Sequence, residues 1–266
     1  MRTFPSLSPE FSFLLSSYLT LAAEGTAWDT SLLLDHLDSY LPSHLPSSCQ
    51  HLVLGVSLGG HSAWQCIVVD PRITTAIIIV GCPDFTRLMC QRASKSRLAS
   101  WNSSSPPGTS FLGSTDFPSA LIKALEKSDP ASALLPNYLK ADPARRGRDW
   151  EVIAKATDVK VLSSDYDRLA ENLNKSLKGK VILNLSGGAD KLVPYACGET
   201  FFRFLREASK PGGGWWQENE FIFDDRIFEG VGHEITPEMA EVAVTFIGDV
   251  LASKIGKAGN VKSSKI

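Results

Sequence analysis

The stretch HLVLGVSLGGHSAW, residues 51 to 64, constrains the fold more than any other part of the chain. His51 to Val56 is a short, mostly apolar run, the pattern of a strand buried on both faces of a parallel sheet. Leu58 to Val69 follows directly, with Ala63, Cys66 and Ile67 at helical spacing. Between the two, Ser57 stands in a Gly-x-Ser-x-Gly string with Gly55 and Gly59 on either side. Such a string arises by chance in many chains, so its strand and helix carry the argument. A strand that turns within one residue into a helix strains the serine backbone and lifts the hydroxyl above the sheet edge. Gly55 and Gly59, helped by Gly60, leave room where strand and helix cross closely.

A serine hydroxyl is a poor nucleophile near neutral pH unless a base takes its proton and an acid holds that base in the right tautomer. Lys180 to Leu185, KVILNL, reads as a second buried strand, and it runs into SGGADKLVP, which puts Asp190 in a loop at the strand's carboxyl end. Glu220 to Phe223 is a further strand-like run, followed by Gly230, Gly232 and His233 in a loop before a helix. The competing acid is Asp84, which also follows an apolar strand, Ala76 to Val80. Asp165 and Asp167 fall in a helical stretch and read as solvated. The other histidines are His36, His44, His51 and His61; the last lies one helical turn past Ser57, where packing or solvent contact is expected.

The chain order Ser57, Asp190, His233 is similar to that of the serine hydrolases of the α/β-hydrolase superfamily, and the resemblance covers about Thr26 to Lys254. It implies an α/β-hydrolase fold with a mostly parallel sheet and a triad in which Ser57 attacks, His233 shuttles the proton and Asp190 orients His233. It also implies that the Leu58 N–H faces the oxyanion. The chemistry requires no metal and no cofactor. The substrate implied is a small carboxylic ester or acyl thioester. The chain also resembles the esterase-lipase type hydrolases of filamentous fungi, some of which serve polyketide or toxin pathways with peroxisomal steps.

Composition fits one large globular domain, 1–255, with 43% hydrophobic and 21% charged residues in a chain of 266. A net charge of −2 supplies no basic face for nucleic acid. Five cysteines, odd in number and without a C-x-x-C pair, indicate neither a zinc site nor a disulfide framework, and a reducing compartment fits best. No apolar run reaches the length of a membrane span. Phe11 to Ala23 faintly resembles the core of a signal peptide, but serines interrupt it.

Thr26 to Tyr40 reads as an amphipathic helix with Thr26 and Asp29 in a capping box and Trp28, Leu32, Leu33, Leu37 and Tyr40 on one side. The polar, helical segment of about 85–177, broken by SSSPPG and several prolines, reads as a lid over the serine, with PSALIKALEK its clearest helix. Thr236 and Pro237 start a last helix whose Met239, Val242, Ala243, Phe246, Ile247 and Val250 form a core-facing stripe.

Two features set the chain apart from that resemblance. A helix beginning at Thr26 leaves residues 1 to 25 ahead of it, and four strands of about five residues would consume about twenty of them before any loop or the first helix. Nor does the chain hold a His-Gly pair of the kind that marks the loop of the second oxyanion donor. The expectation is an amino-terminally shortened member lacking several strands, and loss of one oxyanion donor can cost roughly a hundred- to a thousandfold in turnover. A catalytically inactive remnant or binding module is therefore the alternative to the enzyme, and a peptidase of the same fold a third. At the other end, residues 256–266 read as a solvated tail finishing in Ser264, Lys265 and Ile266. That tripeptide resembles the peroxisomal Ser-Lys-Leu signal, and it implies a peroxisomal import receptor as partner, with the cytoplasm as the alternative location.

Overall fold

The computed structural model describes residues 9–41, 49–135, 166–216 and 220–252, with side chains from Gly25 onward and Tyr166 excepted. The tail and its tripeptide, Asp165 and His44 lie outside the described residues.

Four parallel strands form one sheet in the order β1-β2-β3-β4: β1 (His51–Val56), β2 (Ile73–Ile79), β3 (Val181–Gly187) and β4 (Ile222–Phe228). Helices flank it: α1 (Pro9–Tyr40), α2 (Leu58–Val69), α3 (Phe85–Lys95), α4 (Ala99–Asn102), α5 (Ser119–Ser128), α6 (Pro130–Leu134), α7 (Tyr166–Leu177), α8 (Glu199–Ala208) and α9 (Pro237–Leu251). This is the α/β architecture expected, with a parallel sheet between helical layers.

The alternation of side chains along β2 and β3 decides the layers. Ala76, Ile78 and Ile182 face one way, into a core with Trp64 and Ile67 of α2, Leu169, Leu173 and Leu177 of α7, and Phe201, Phe202 and Leu205 of α8. Ile77, Ile79, Val181, Leu183 and Leu185 face the other way, onto Met239, Ala243, Phe246 and Val250 of α9. Thr236 caps α9, its hydroxyl accepting from the Met239 N–H at 3.2 Å. A third cluster, built from Phe85, Leu88, Met89, Trp101, Phe111, Phe117 and Leu125, lies beyond the end of β2 with Cys82 and Cys197. The helix expected in PSALIKALEK is α5.

Several sequence expectations need correction. The helix read from Thr26 begins at Pro9, so Thr26 and Asp29 lie inside it and not at its amino end, and Phe11 to Ala23 belongs to one 32-residue helix. Its inward face is also different: Ala27 is buried and Leu34 packs on the core, while Trp28, Leu33 and Tyr40 are exposed. β1 is not buried on both faces. It pairs only with β2 among the described residues, and Leu52 and Leu54 are exposed, the latter at 48%. β4 runs Ile222–Phe228, not Glu220 to Phe223; its Asp224, Asp225 and Arg226 broke the apolar pattern on a strand that, among the described residues, ends the sheet. The last twelve residues of the segment read as a lid form α7, whose Leu169, Leu173 and Leu177 are buried in the main core.

The amino end of β2 is tied to α1 by charge. Asp70, buried at the end of α2, accepts from the Arg72 backbone N–H (2.9 Å) and guanidinium (2.7 Å) and from the Ser31 hydroxyl of α1. Arg72 also donates to the Ser31 carbonyl and to Asp35, so α1 is fastened to the sheet. The Arg72 guanidinium holds the Asp70 carboxyl well below the usual carboxylate range. A depressed carboxyl stabilises the fold above its unfolded pKa of about 4, and that contribution is lost as pH falls toward the folded value. Asp70→Asn is therefore expected to cost about 2 kcal/mol at neutral pH, and chemical denaturation at a series of pH values should show this gap closing below about pH 4.

Candidate active site

Because the strands are parallel, their carboxyl ends share one edge of the sheet, where loops converge. Ser57 is the single residue between β1 and α2. Its N–H still continues the ladder, donating to the Ile79 carbonyl at 2.9 Å, while its own carbonyl accepts the first helical bond from His61. One residue serving both elements is forced to φ 55° and ψ −114°, a left-handed conformation that costs a non-glycine residue about 1–3 kcal/mol. Glycine is needed beside it: a Cβ at Gly55 would fall on the Gly59 carbonyl, and one at Gly60 would lie 2.9 Å from Cα of Gly81. Gly59 meets nothing within 4 Å, so of the two flanking glycines only Gly55 is demanded by space. Gly55→Ala is expected to lower stability by about 3 kcal/mol or more, measurable as a drop in melting temperature. Gly59→Ala should change it little.

His233 comes from the far strand, and its loop must cross the end of β3 to reach Ser57. The crossing is visible at Gly187, where a Cβ would strike the carbonyls of Val231 and Gly232. Gly188 and Ala189 donate across it to the Phe228 and Val231 carbonyls, both at 2.8 Å. The result is a relay: Ser57 Oγ lies 2.8 Å from His233 Nε2, and His233 Nδ1 lies 2.8 Å from Asp190 Oδ2. A carboxylate can only accept, so Nδ1 carries the proton and Nε2 is left to accept from the serine. The Asp190 side chain is 1% exposed and that of His233 21%, so the carboxylate is sealed and the imidazole reachable. Asp190 Oδ1 accepts from the N–H groups of Leu192 (2.8 Å) and Val193 (2.9 Å), which fixes the carboxylate plane. Arg92 of α3 donates to the Leu192 carbonyl at 3.0 Å.

Leu58 begins α2, and N–H groups in that first turn precede the first intrahelical bond. The positive end of a twelve-residue helix thus lies under the Ser57 hydroxyl.

Asp84, the competing acid, is placed differently. It is buried, caps α3 by accepting from the Arg87 N–H at 2.9 Å, and lies 3.7 Å from the Arg87 guanidinium. His61 is buried rather than solvated. Its Nδ1 donates to the Cys82 carbonyl at 2.5 Å, burial pushes its imidazole below the usual range, and Nε2 is 3.9 Å from the fully buried Asp129. Asp129 accepts from the Phe85 N–H (2.8 Å) and the Ser132 hydroxyl (2.9 Å); burial, with Asp84 nearby, drives its carboxyl well up. The sequence offered one signal for this cluster, the two residues Asp129 and Pro130 at a helix start. All five cysteines are free thiols. Among the described residues no group of three or more His, Cys, Asp and Glu side chains could hold a metal ion, and no helix is long and apolar enough to cross a membrane.

No protein-family model matches the chain, and no curated protein matches it. Among solved structures it is similar to a variant of Arabidopsis thaliana SOBER1 (11% identity, TM-score 0.39, covering 88% of this chain and 66% of that one). It is also similar to Zea mays acyl-protein thioesterase 2 (14%, TM-score 0.37, 89% and 66%). A third is the Pyrococcus horikoshii acylaminoacyl peptidase (10%, TM-score 0.44, 91% and 30%). The chain spans no more than 66% of the length of any of these three. At identities of 10–14%, these likenesses assign the chain neither a family nor an activity.

Proposed function

We propose that the chain is a serine hydrolase of α/β-hydrolase type that cleaves a carboxylic ester or an acyl thioester. The observation that carries this reading is the unbroken relay of two 2.8 Å contacts from Ser57 through His233 to Asp190. His233 Nε2 takes the Ser57 proton as Oγ attacks the carbonyl carbon. Negative charge collects on the carbonyl oxygen, where the Leu58 N–H and the amino end of α2 stabilise it. Collapse breaks the bond to the leaving alcohol or thiol, and His233 returns the proton to it. Water, deprotonated by the same Nε2, then releases the acid and restores Ser57. Asp190 stays ionised throughout and holds the Nδ1 tautomer. The helices between Phe85 and Leu134 act as a lid over this edge of the sheet.

The test is a side-by-side measurement of kcat/KM on p-nitrophenyl esters, acyl-CoA thioesters and N-acyl peptides. Ester or thioester hydrolysis well above peptide hydrolysis is the expected result; peptide preference would replace the reading with a peptidase. A second reading, a hydrolase-fold binding module without activity, is favoured by one observation, the exposed Leu52 and Leu54 on an edge strand beside the serine. A folded wild type that turns over none of the three classes would select it. The peroxisomal address is proposed on Ser264, Lys265 and Ile266. A fluorescent protein fused ahead of residue 1 should collect in peroxisomal puncta and return to the cytosol when the three residues are deleted. Service in a fungal polyketide or toxin pathway is a proposal resting on that address and on resemblance.

A further inference from the structure

The side chain of Asp225, on β4, is 1% exposed, and donors from three other elements converge on it. Oδ1 accepts from Asn184 Nδ2 of β3 at 2.8 Å, and Oδ2 from the Tyr195 hydroxyl at 2.8 Å. The Arg206 guanidinium of α8 pairs with the same carboxylate and reaches the Tyr195 oxygen at 3.3 Å. Asn184 is wholly buried and donates also to the Ser186 hydroxyl at 3.2 Å. A buried carboxylate with this many donors is weak evidence of stability, since an apolar set of similar volume is often as stable. What it does supply is a fixed point with defined directions.

Tyr195 is five residues past Asp190, in the loop that leaves β3. Between them the chain has little freedom. Leu192 and Val193 donate to Asp190, Pro194 follows, and the turn is closed by Cys197 donating to the Pro194 carbonyl and Gly198 to that of Tyr195. The Tyr195 ring also rests on Phe202 of α8, with centroids 5.3 Å apart. A displacement at Tyr195 is therefore passed to the two N–H groups that orient the Asp190 carboxylate. Because Asp225 lies on the strand that leads to His233, one carboxylate references the acid loop to the base-bearing strand.

We infer that Asp225, acting through the Tyr195 hydroxyl, is a positioning residue that fixes the Asp190 loop relative to His233. The inference rests on the triad reading proposed above. Neither residue touches the relay atoms; both set where Asp190 Oδ2 stands, and a misplacement of about 1 Å in such a group can cost a hundredfold.

Tyr195→Phe is the decisive variant because it deletes one oxygen and leaves Asp225 paired with Arg206 and Asn184. Its kcat on a p-nitrophenyl ester should fall about tenfold with KM unchanged. The low-field proton resonance of the His233–Asp190 hydrogen bond, assigned by its loss in His233→Ala, should broaden through faster exchange with water. Asp225→Asn should shift both readouts the same way, and Tyr195→Phe/Asp225→Asn should be no slower than the worse single variant, since both act along one path. Should Asp225→Asn fail to fold, Tyr195→Phe decides alone. Wild-type kcat together with a wild-type resonance in Tyr195→Phe, or a lowered melting temperature with kcat unchanged, overturns the inference. A wild type without turnover removes the proposed function but not this test: the resonance still reads the geometry, its broadening in Tyr195→Phe supports the inference, and its persistence overturns it.

Discussion

A fluorophosphonate probe is expected to label the protein once, at Ser57, and Ser57→Ala to lose the label entirely while ester turnover falls on the order of a millionfold. The size follows from what alanine removes. On the proposed mechanism no acyl-enzyme forms without Oγ, and the residual rate is what water achieves beside the remaining donors. The specificity follows from geometry: Ser57 combines a strained turn, a helix amino terminus and an imidazole nitrogen at 2.8 Å. The measurement is intact-protein mass spectrometry after labelling, with steady-state rates beside it. Label persisting in a folded Ser57→Ala protein would place the nucleophile elsewhere.

The second large effect separates the two acids. Asp190→Asn should lower kcat about ten-thousandfold, because an amide in that position favours the histidine tautomer whose Nε2 carries a proton and cannot accept one from Ser57. Asp84→Asn should act on stability instead. Asp84 caps α3 and sits beside Arg87 and the buried Asp129, so its loss is expected to cost about 1–2 kcal/mol in the melt with kcat within a few-fold of wild type. The reverse outcome, a near-neutral Asp190→Asn with a damaging Asp84→Asn, would show that the relay recruits the other carboxylate.

What the sequence made legible was governed by range. The β1–Ser57–α2 turn is local, and its elements were located to the residue because apolar run, glycine and helical spacing are adjacent in the chain. Asp190 and His233 were singled out because each follows an apolar or strand-like run and precedes a distinct break, and the structure brings both beside Ser57. The strand β4 was misplaced since a sheet edge tolerates Asp224, Asp225 and Arg226, which look like a solvated face in one dimension. For the same reason the Asp225 hub was invisible: its donors lie on β3, α8 and the acid loop, 19 to 41 positions away. The orientation of α1 was misjudged because its best-looking stripe, with Trp28, Leu33 and Tyr40, is exposed, and the helix is instead fastened through Ala27, Leu34 and the Ser31–Asp70–Arg72 contacts. His61 illustrates the limit from the other side. Its single conspicuous property, nearness to Ser57 in sequence, says nothing of the Cys82 carbonyl that accepts its hydrogen bond.

The crossing of the histidine loop over Gly187 has a kinetic consequence. The Ser57–His233 contact closes a separation of 176 residues, whereas α2 and the turn at Ser57 are built from neighbours. Loop closure over such a span carries an entropic cost that local helices do not meet, and contacts of this kind slow folding. The relay cannot exist until β3 and β4 have paired and the loop has settled across the glycine. In refolding from denaturant, helical circular dichroism should therefore recover before fluorophosphonate reactivity does. Reactivity would report the last stage of assembly, and the interval between the two signals would measure the lifetime of a chain whose Ser57 turn is shaped before His233 arrives.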